Sequence, residues 1–165
     1  MRLHFLCGST GAGKTTYGRC LAEEIGGILF SVDSWMSDLF WMDAPQPMDS
    51  TWAIDRIERC RTTIWRTAVE VASRGTPCLL EIGFTVRGVR AKYAALAAEA
   101  GLDVRLHFLD VPAAERWRRV EVRNREAGDQ LGFAVTRAMF DFVEDMWEPP
   151  TAEEMAACDG VRLTC

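Results

Sequence analysis

Residues 8–15 read GSTGAGKT and fit the spacing G-x-x-x-x-G-K-[ST]. They follow an apolar run, LHFLC at 3–7, and lead into a helical pattern over 15–25. A strand, a glycine-rich turn and a helix in that order make a phosphate-binding loop. Its glycines let the backbone curl so that successive N–H groups point inward at phosphate oxygens. The helix that starts there adds its positive N-terminal end. The residues expected to hold a nucleotide are Gly8, Ser9, Thr10, Gly11, Ala12, Gly13, Lys14, Thr15 and Thr16. Lys14 is placed to reach the β- and γ-phosphates, and the Thr15 hydroxyl to bind Mg²⁺.

Three carboxylates stand near strand ends, where ligands bind in open α/β sheets. Asp33 falls 19 residues after Lys14. It is suited to accept the proton of an attacking hydroxyl, and equally suited to cap a helix. Glu81 ends an apolar strand, where a carboxylate holds a water on Mg²⁺ or contacts substrate, or simply faces solvent. Asp110 reads as the start of a turn into a helix at Pro112.

That helix carries Arg116, Arg118, Arg119, Arg123 and Arg125. Arginines reaching over the phosphates would neutralise charge on a transferring group. Spacing puts Arg116, Arg119 and Arg123 on one face. Arg118 and Arg125 fall opposite, solvated or paired with Glu121. Trp35, Phe40, Trp41 and Trp52 surround a proline-containing loop and are either core or the lining of an acceptor pocket.

The elements that must position these groups alternate. Strands are expected at 3–7, 28–32, 76–82 and 104–110, with an edge strand at 161–164. Helices are expected at 15–25, from Ser34 to Trp41, and at 51–74, 86–100, 112–126 and 133–147, with a break at 127–132. Ile54, Ile57, Ile64, Ala68 and Val71 supply the apolar side of the long helix. The pattern implies a parallel sheet with helices on both faces.

One domain spanning 1–165 suits a chain of 165 residues. The net charge of −5 gives no general attraction for nucleic acid or anionic membrane. Six cysteines without C-x-x-C spacing argue against a zinc site and for a reducing cytoplasm. No apolar run approaches the roughly 20 residues of a membrane span.

With these features together, the chain resembles the small P-loop kinases. More narrowly it is similar to the predicted-kinase, AAA-domain group related to polynucleotide 5′-hydroxyl kinases, zeta toxins and chloramphenicol phosphotransferase. The marks are GSTGAGKT, VDS at 32–34, EIGF followed by Arg90, LDVP at 109–112, WRRVEVRNRE at 117–126 and EPPTAEE at 148–154. The resemblance implies a three-layer α/β/α P-loop NTPase fold, with a five-stranded sheet in the order 2-3-1-4-5. It also implies a helical, arginine-bearing lid at about 112–134. By that resemblance Asp33 would be the general base, Lys14 the loop lysine and Thr15 the metal-binding hydroxyl, with the lid arginines within Arg116–Arg125. The residues themselves add Glu81 to the Mg²⁺ side and make Arg119 and Arg123 the expected lid arginines. Asp33, Trp35 and Arg90 are the expected acceptor contacts. Polynucleotide 5′-kinases carry an arginine three residues after the catalytic aspartate, and here that position is Met36. The expected activity is ATP- and Mg²⁺-dependent transfer of the γ-phosphate to a hydroxyl of a small antibiotic-, sugar- or nucleoside-like acceptor. The alternatives are a nucleotide or polynucleotide 5′-hydroxyl kinase and an ATP-dependent switch module. Oligomeric state is not legible.

Overall fold

The computed structural model describes residues 2–47, 49–127 and 134–164. Five parallel strands form one sheet: β1 (Arg2–Cys7), β2 (Ile28–Ser31), β3 (Cys78–Glu81), β4 (Asp103–Asp110) and β5 (Val161–Thr164). Their order is β2-β3-β1-β4-β5, as the resemblance implies, within a three-layer α/β/α P-loop fold. The central strand β1 pairs with β3 (Phe5 opposite Leu80) and with β4 (Cys7 opposite Phe108). Its apolar residues Leu3, Phe5, Leu6 and Cys7 are all buried, and so is His4 among them.

The helices are α1 (Lys14–Ile25), α2 (Val32–Leu39), α3 (Ser50–Ser73), α4 (Arg87–Glu99), α5 (Ala113–Ala127), α6 (Arg137–Met146) and α7 (Ala152–Ala157). Helix α1 lies tight against the sheet at Gly18, where a Cβ would come within 2.6 Å of the Leu6 side chain. That contact fixes the end of α1 that faces the loop. Helix α3 starts at an Asp49 cap, whose carboxylate accepts from the Thr51 N–H at 2.9 Å. Its buried side repeats every four residues, Cys60, Ile64, Ala68 and Ala72.

Four expectations are corrected. Strand β2 stops at Ser31, because the Ser31 side chain caps α2 by accepting from the Ser34 N–H. Asp33 therefore sits in the first turn of a helix and not at a strand tip. Ile54 is 59% exposed, off the core side of α3. The last long helix begins at Arg137 behind a Thr136 cap, and the expected break at 127–132 falls almost entirely outside the described residues. The EPPTAEE segment holds an extra helix, α7, started by a capping box between Thr151 and Glu154. Among the described residues, no helix is long and apolar enough to cross a membrane.

Candidate active site

The loop between β1 and α1 closes on the sheet because its neighbours leave no room for larger residues. Gly13 caps α1 with φ 90°, and Gly11 has φ 80°. A Cβ on Gly11 would lie 2.4 Å from the Arg116 carbonyl oxygen, so the loop touches the backbone of α5. Thr10 to Thr16 line a cavity of about 1310 Å³ at the carboxyl edge of the sheet. Gly8 and Ser9 lie behind that surface. A Cβ on Gly8 would meet the Leu109 carbonyl at 3.0 Å, and Ser9 is buried.

Thr15 opens the polar floor. Its hydroxyl bonds the Glu81 carboxylate, 3.0 Å from Oε1 and 2.9 Å from Oε2. Glu81 is 3% exposed, and burial pushes its pKa up. The Lys14 charge pulls it back down, and the Asp33 charge pushes it up again. Lys14 Nζ donates to the Ser9 carbonyl at 3.2 Å. Asp33 faces the same cavity from α2, with Ser37 one turn on and Trp41 beyond it. Thr15 and Glu81 together offer only oxygen donors, with Asp33 beside them on the same wall. That set fits Mg²⁺, a hard cation that binds one or two carboxylates and keeps several waters.

Arg119 and Arg123 line the opposite wall from α5. The Arg119 guanidinium stands over the loop, 3.8 Å from where a Gly13 Cβ would be, and it pairs with Glu115 at 2.9 Å. Arg118 also pairs with Glu115, at 2.8 Å, and not with Glu121. Arg116 does not join its two expected partners over the cavity. It is 5% exposed and braces the loop from behind. It donates to the Thr10 carbonyl at 3.2 Å and forms a two-pronged pair with Glu144 of α6, both bonds 2.6 Å. Glu144 also accepts from the Ser9 hydroxyl, and the Arg116 bonds hold its pKa down.

Two expected acceptor contacts sit elsewhere. Arg90 is 3% exposed and locked to Glu154 of α7 at 2.8 Å, with further bonds to the Phe84 and Glu148 carbonyls. Its job is to join α4 to the C-terminal segment. Trp35 packs against the core cluster, as do Phe40, Trp41 and Trp52, and the Trp41 and Trp52 rings lie 6.0 Å apart. Of the four aromatics, Trp41 is the one on the cavity wall. Asp110 pairs with Arg162 of β5, which lines the cavity with Leu163 and Thr164. Ser37 carried a usable signal, since it lies four residues after Asp33. Glu144 and Arg162 carried none, because their partners are remote in sequence.

A loop that presents inward amides, a lysine and a hydroxyl, faced by a metal-competent carboxylate and by arginines from a following helix, defines the P-loop phosphate-binding proteins. An AAA domain family model matches residues 3–146, and the chain belongs to that family, in its P-loop kinase group. No curated protein matches the sequence. Among solved structures, the fold resembles a putative kinase from Chloroflexus aurantiacus, at 18% identity and TM-score 0.75, covering 99% of this chain and 87% of that one. It also resembles the APS kinase CysC of Mycobacterium tuberculosis in complex with AMPPNP and APS, at 20% identity, TM-score 0.64 and coverages of 99% and 87%. Chaetomium thermophilum Kti12 in complex with ADP-AlF3 is similar at 16% identity and TM-score 0.70, with 98% and 88% covered. At these identities the likeness concerns the fold.

Proposed function

We propose that the protein is a cytoplasmic, single-domain kinase that moves the γ-phosphate of ATP to a hydroxyl of a small-molecule acceptor. The observation that carries the reading is the placement of Asp33 on the same cavity wall as Glu81, opening onto Lys14 and Thr15. The loop amides and Lys14 hold the β- and γ-phosphates. Thr15 and Glu81 would hold Mg²⁺, which when bound neutralises charge on the phosphates. Asp33 accepts the proton of the acceptor hydroxyl as its oxygen bonds to the γ-phosphorus. The bond from that phosphorus to the β–γ bridging oxygen breaks, and ADP leaves. Arg119 and Arg123, on the lid side of α5, stabilise the charge on the transferring group.

The test is ADP release from Mg²⁺-ATP across a panel of hydroxyl compounds, with product masses recorded. The panel includes sugars, nucleosides, chloramphenicol, aminoglycosides and 5′-hydroxyl oligonucleotides. A phosphorylated small molecule is expected. ATP turnover that yields phosphorylated oligonucleotide alone, or no phosphorylated acceptor at all, contradicts the reading.

A further inference from the structure

The cavity is charge-polarised about the phosphate loop. On the β4–β5 side its wall carries Arg119, Arg123 and Arg162; on the β2–β3 side it carries Asp33, Ser37, Trp41 and Glu81. Asp33, Ser37 and Trp41 are spaced four apart, so α2 and the turn after it present them as one strip leading away from the loop. The side with the arginines suits a polyphosphate. The side where Asp33 meets an acceptor has the Asp33 carboxylate, a hydroxyl and an indole, because Glu81 is buried under Thr15 on the Mg²⁺ side and Lys14 belongs to the phosphates.

The sequence reinforces this asymmetry. From Arg19 to Arg56 there is no intervening lysine or arginine, so α2 and the segment after it bring no cation to this wall, and of the carboxylates between them Asp33 lines the cavity. The nearest arginines of α3 do not reach the cavity wall. Arg56 rests 4.1 Å over the Trp52 ring and donates to the Trp52 carbonyl. Arg61 donates to the Ile82 carbonyl at 2.7 Å and pairs with Glu58. An acceptor bearing a phosphate, sulfate or carboxylate would lie against the Asp33 carboxylate, and among the described residues that line this side no guanidinium or ammonium is placed to bind it. A cation is drawn to the same wall by the Asp33 carboxylate and by the ring of Trp41.

We infer that the acceptor is cationic: a small hydroxyl compound that carries a protonated amine or a quaternary ammonium, held along Asp33, Ser37 and Trp41. This rests on the phosphotransfer reading above and narrows its substrate class.

The experiment compares three sets of hydroxyl compounds. The cationic set is amino sugars, aminoglycosides and choline; the neutral set is sugars and nucleosides; the anionic set is sugar acids and nucleoside monophosphates. Product formation with Mg²⁺-ATP is measured first, then binding to the protein loaded with Mg²⁺ and AMPPNP at low and high salt. Cationic compounds are expected to give the highest kcat/KM, and to bind at least tenfold tighter than neutral ones, with the advantage shrinking as salt rises. Ser37→Lys is expected to lose that advantage, and an equal preference for cationic compounds in the variant overturns the inference. Faster transfer to a neutral or anionic compound overturns the inference and leaves the kinase reading intact. If no compound is phosphorylated, the kinase reading fails and the binding order alone decides the charge class. Equal binding of the three sets, or binding of none, overturns the inference.

Discussion

Asp33 and Glu81 share one wall but differ in surroundings. Asp33 is exposed to the cavity, whereas Glu81 is buried under Thr15 with its pKa raised by that burial. A buried carboxylate that bonds a hydroxyl is poised to exchange that bond for a metal with its waters. Glu81→Gln is therefore expected to raise the half-saturating Mg²⁺ concentration at least tenfold while leaving nucleotide affinity without metal unchanged. Magnesium titration of activity and of nucleotide binding checks this; an unchanged Mg²⁺ requirement would remove Glu81 from the metal side. The loop, Asp33 and Glu81 could be picked out in the sequence because their residue types and their distance from predicted strand ends are local signals. Arg90 was misleading for the same reason. It follows EIGF closely, yet its partner Glu154 is 64 residues away and draws it under α7.

Helix α5 contributes to the loop in two ways. Its outer arginines, Arg119 and Arg123, face the cavity, while Arg116 turns inward and ties Thr10 to Glu144 of α6. Three elements thus meet through one buried guanidinium. Removing one partner of such a pair leaves a buried charge uncompensated, at a cost of about 3 kcal/mol. Glu144→Gln should lower the melting temperature and weaken Mg²⁺-ATP binding, because Ser9 and Thr10 lose their common brace. Thermal melts and nucleotide titration test it, and a variant with wild-type values for both would show that the clamp does nothing for the loop. Gly11→Ala makes a sharper case. The new Cβ would meet the Arg116 carbonyl in a left-handed backbone conformation, so nucleotide binding should fall at least tenfold. A titration showing unchanged affinity would mean that the loop can move away from α5. Helix spacing correctly grouped Arg119 with Arg123 but could not tell that Arg116, one turn nearer the loop, lies beneath it. That depends on how α5 meets α6, which no local pattern records.

Alternating strand and helix signals imply a parallel sheet, and the resemblance to the small P-loop kinases implies its order, which the strands from β1 to β5 bear out. What periodicity could not show is the polar seam within the sheet. His4 Nδ1 lies 2.9 Å from His107 Nε2, and the Tyr17 hydroxyl lies 2.7 Å from His107 Nδ1, linking β1, β4 and α1. The His4–His107 contact needs one nitrogen with a free lone pair, and burial pushes the His107 pKa down to about 4. Because the folded pKa is below the ordinary 6.5, the neutral ring's contribution is complete above about pH 6.5 and is lost as pH falls toward 4. The loss amounts to about 3 kcal/mol. Melting curves between pH 7 and pH 4 should show a drop in stability that His107→Gln lessens; an identical acid loss in both proteins would contradict it. The central claim concerns the cavity this sheet opens. The most direct measurement is single-turnover transfer of labelled γ-phosphate to the acceptor that the wild-type protein phosphorylates fastest, repeated with Asp33→Asn alongside Mg²⁺-ATP affinity. A fall of about 10² to 10⁴ in transfer rate with unchanged affinity is the result predicted. Transfer at the wild-type rate in the variant, or labelled phosphate appearing only in water with both proteins, would contradict it.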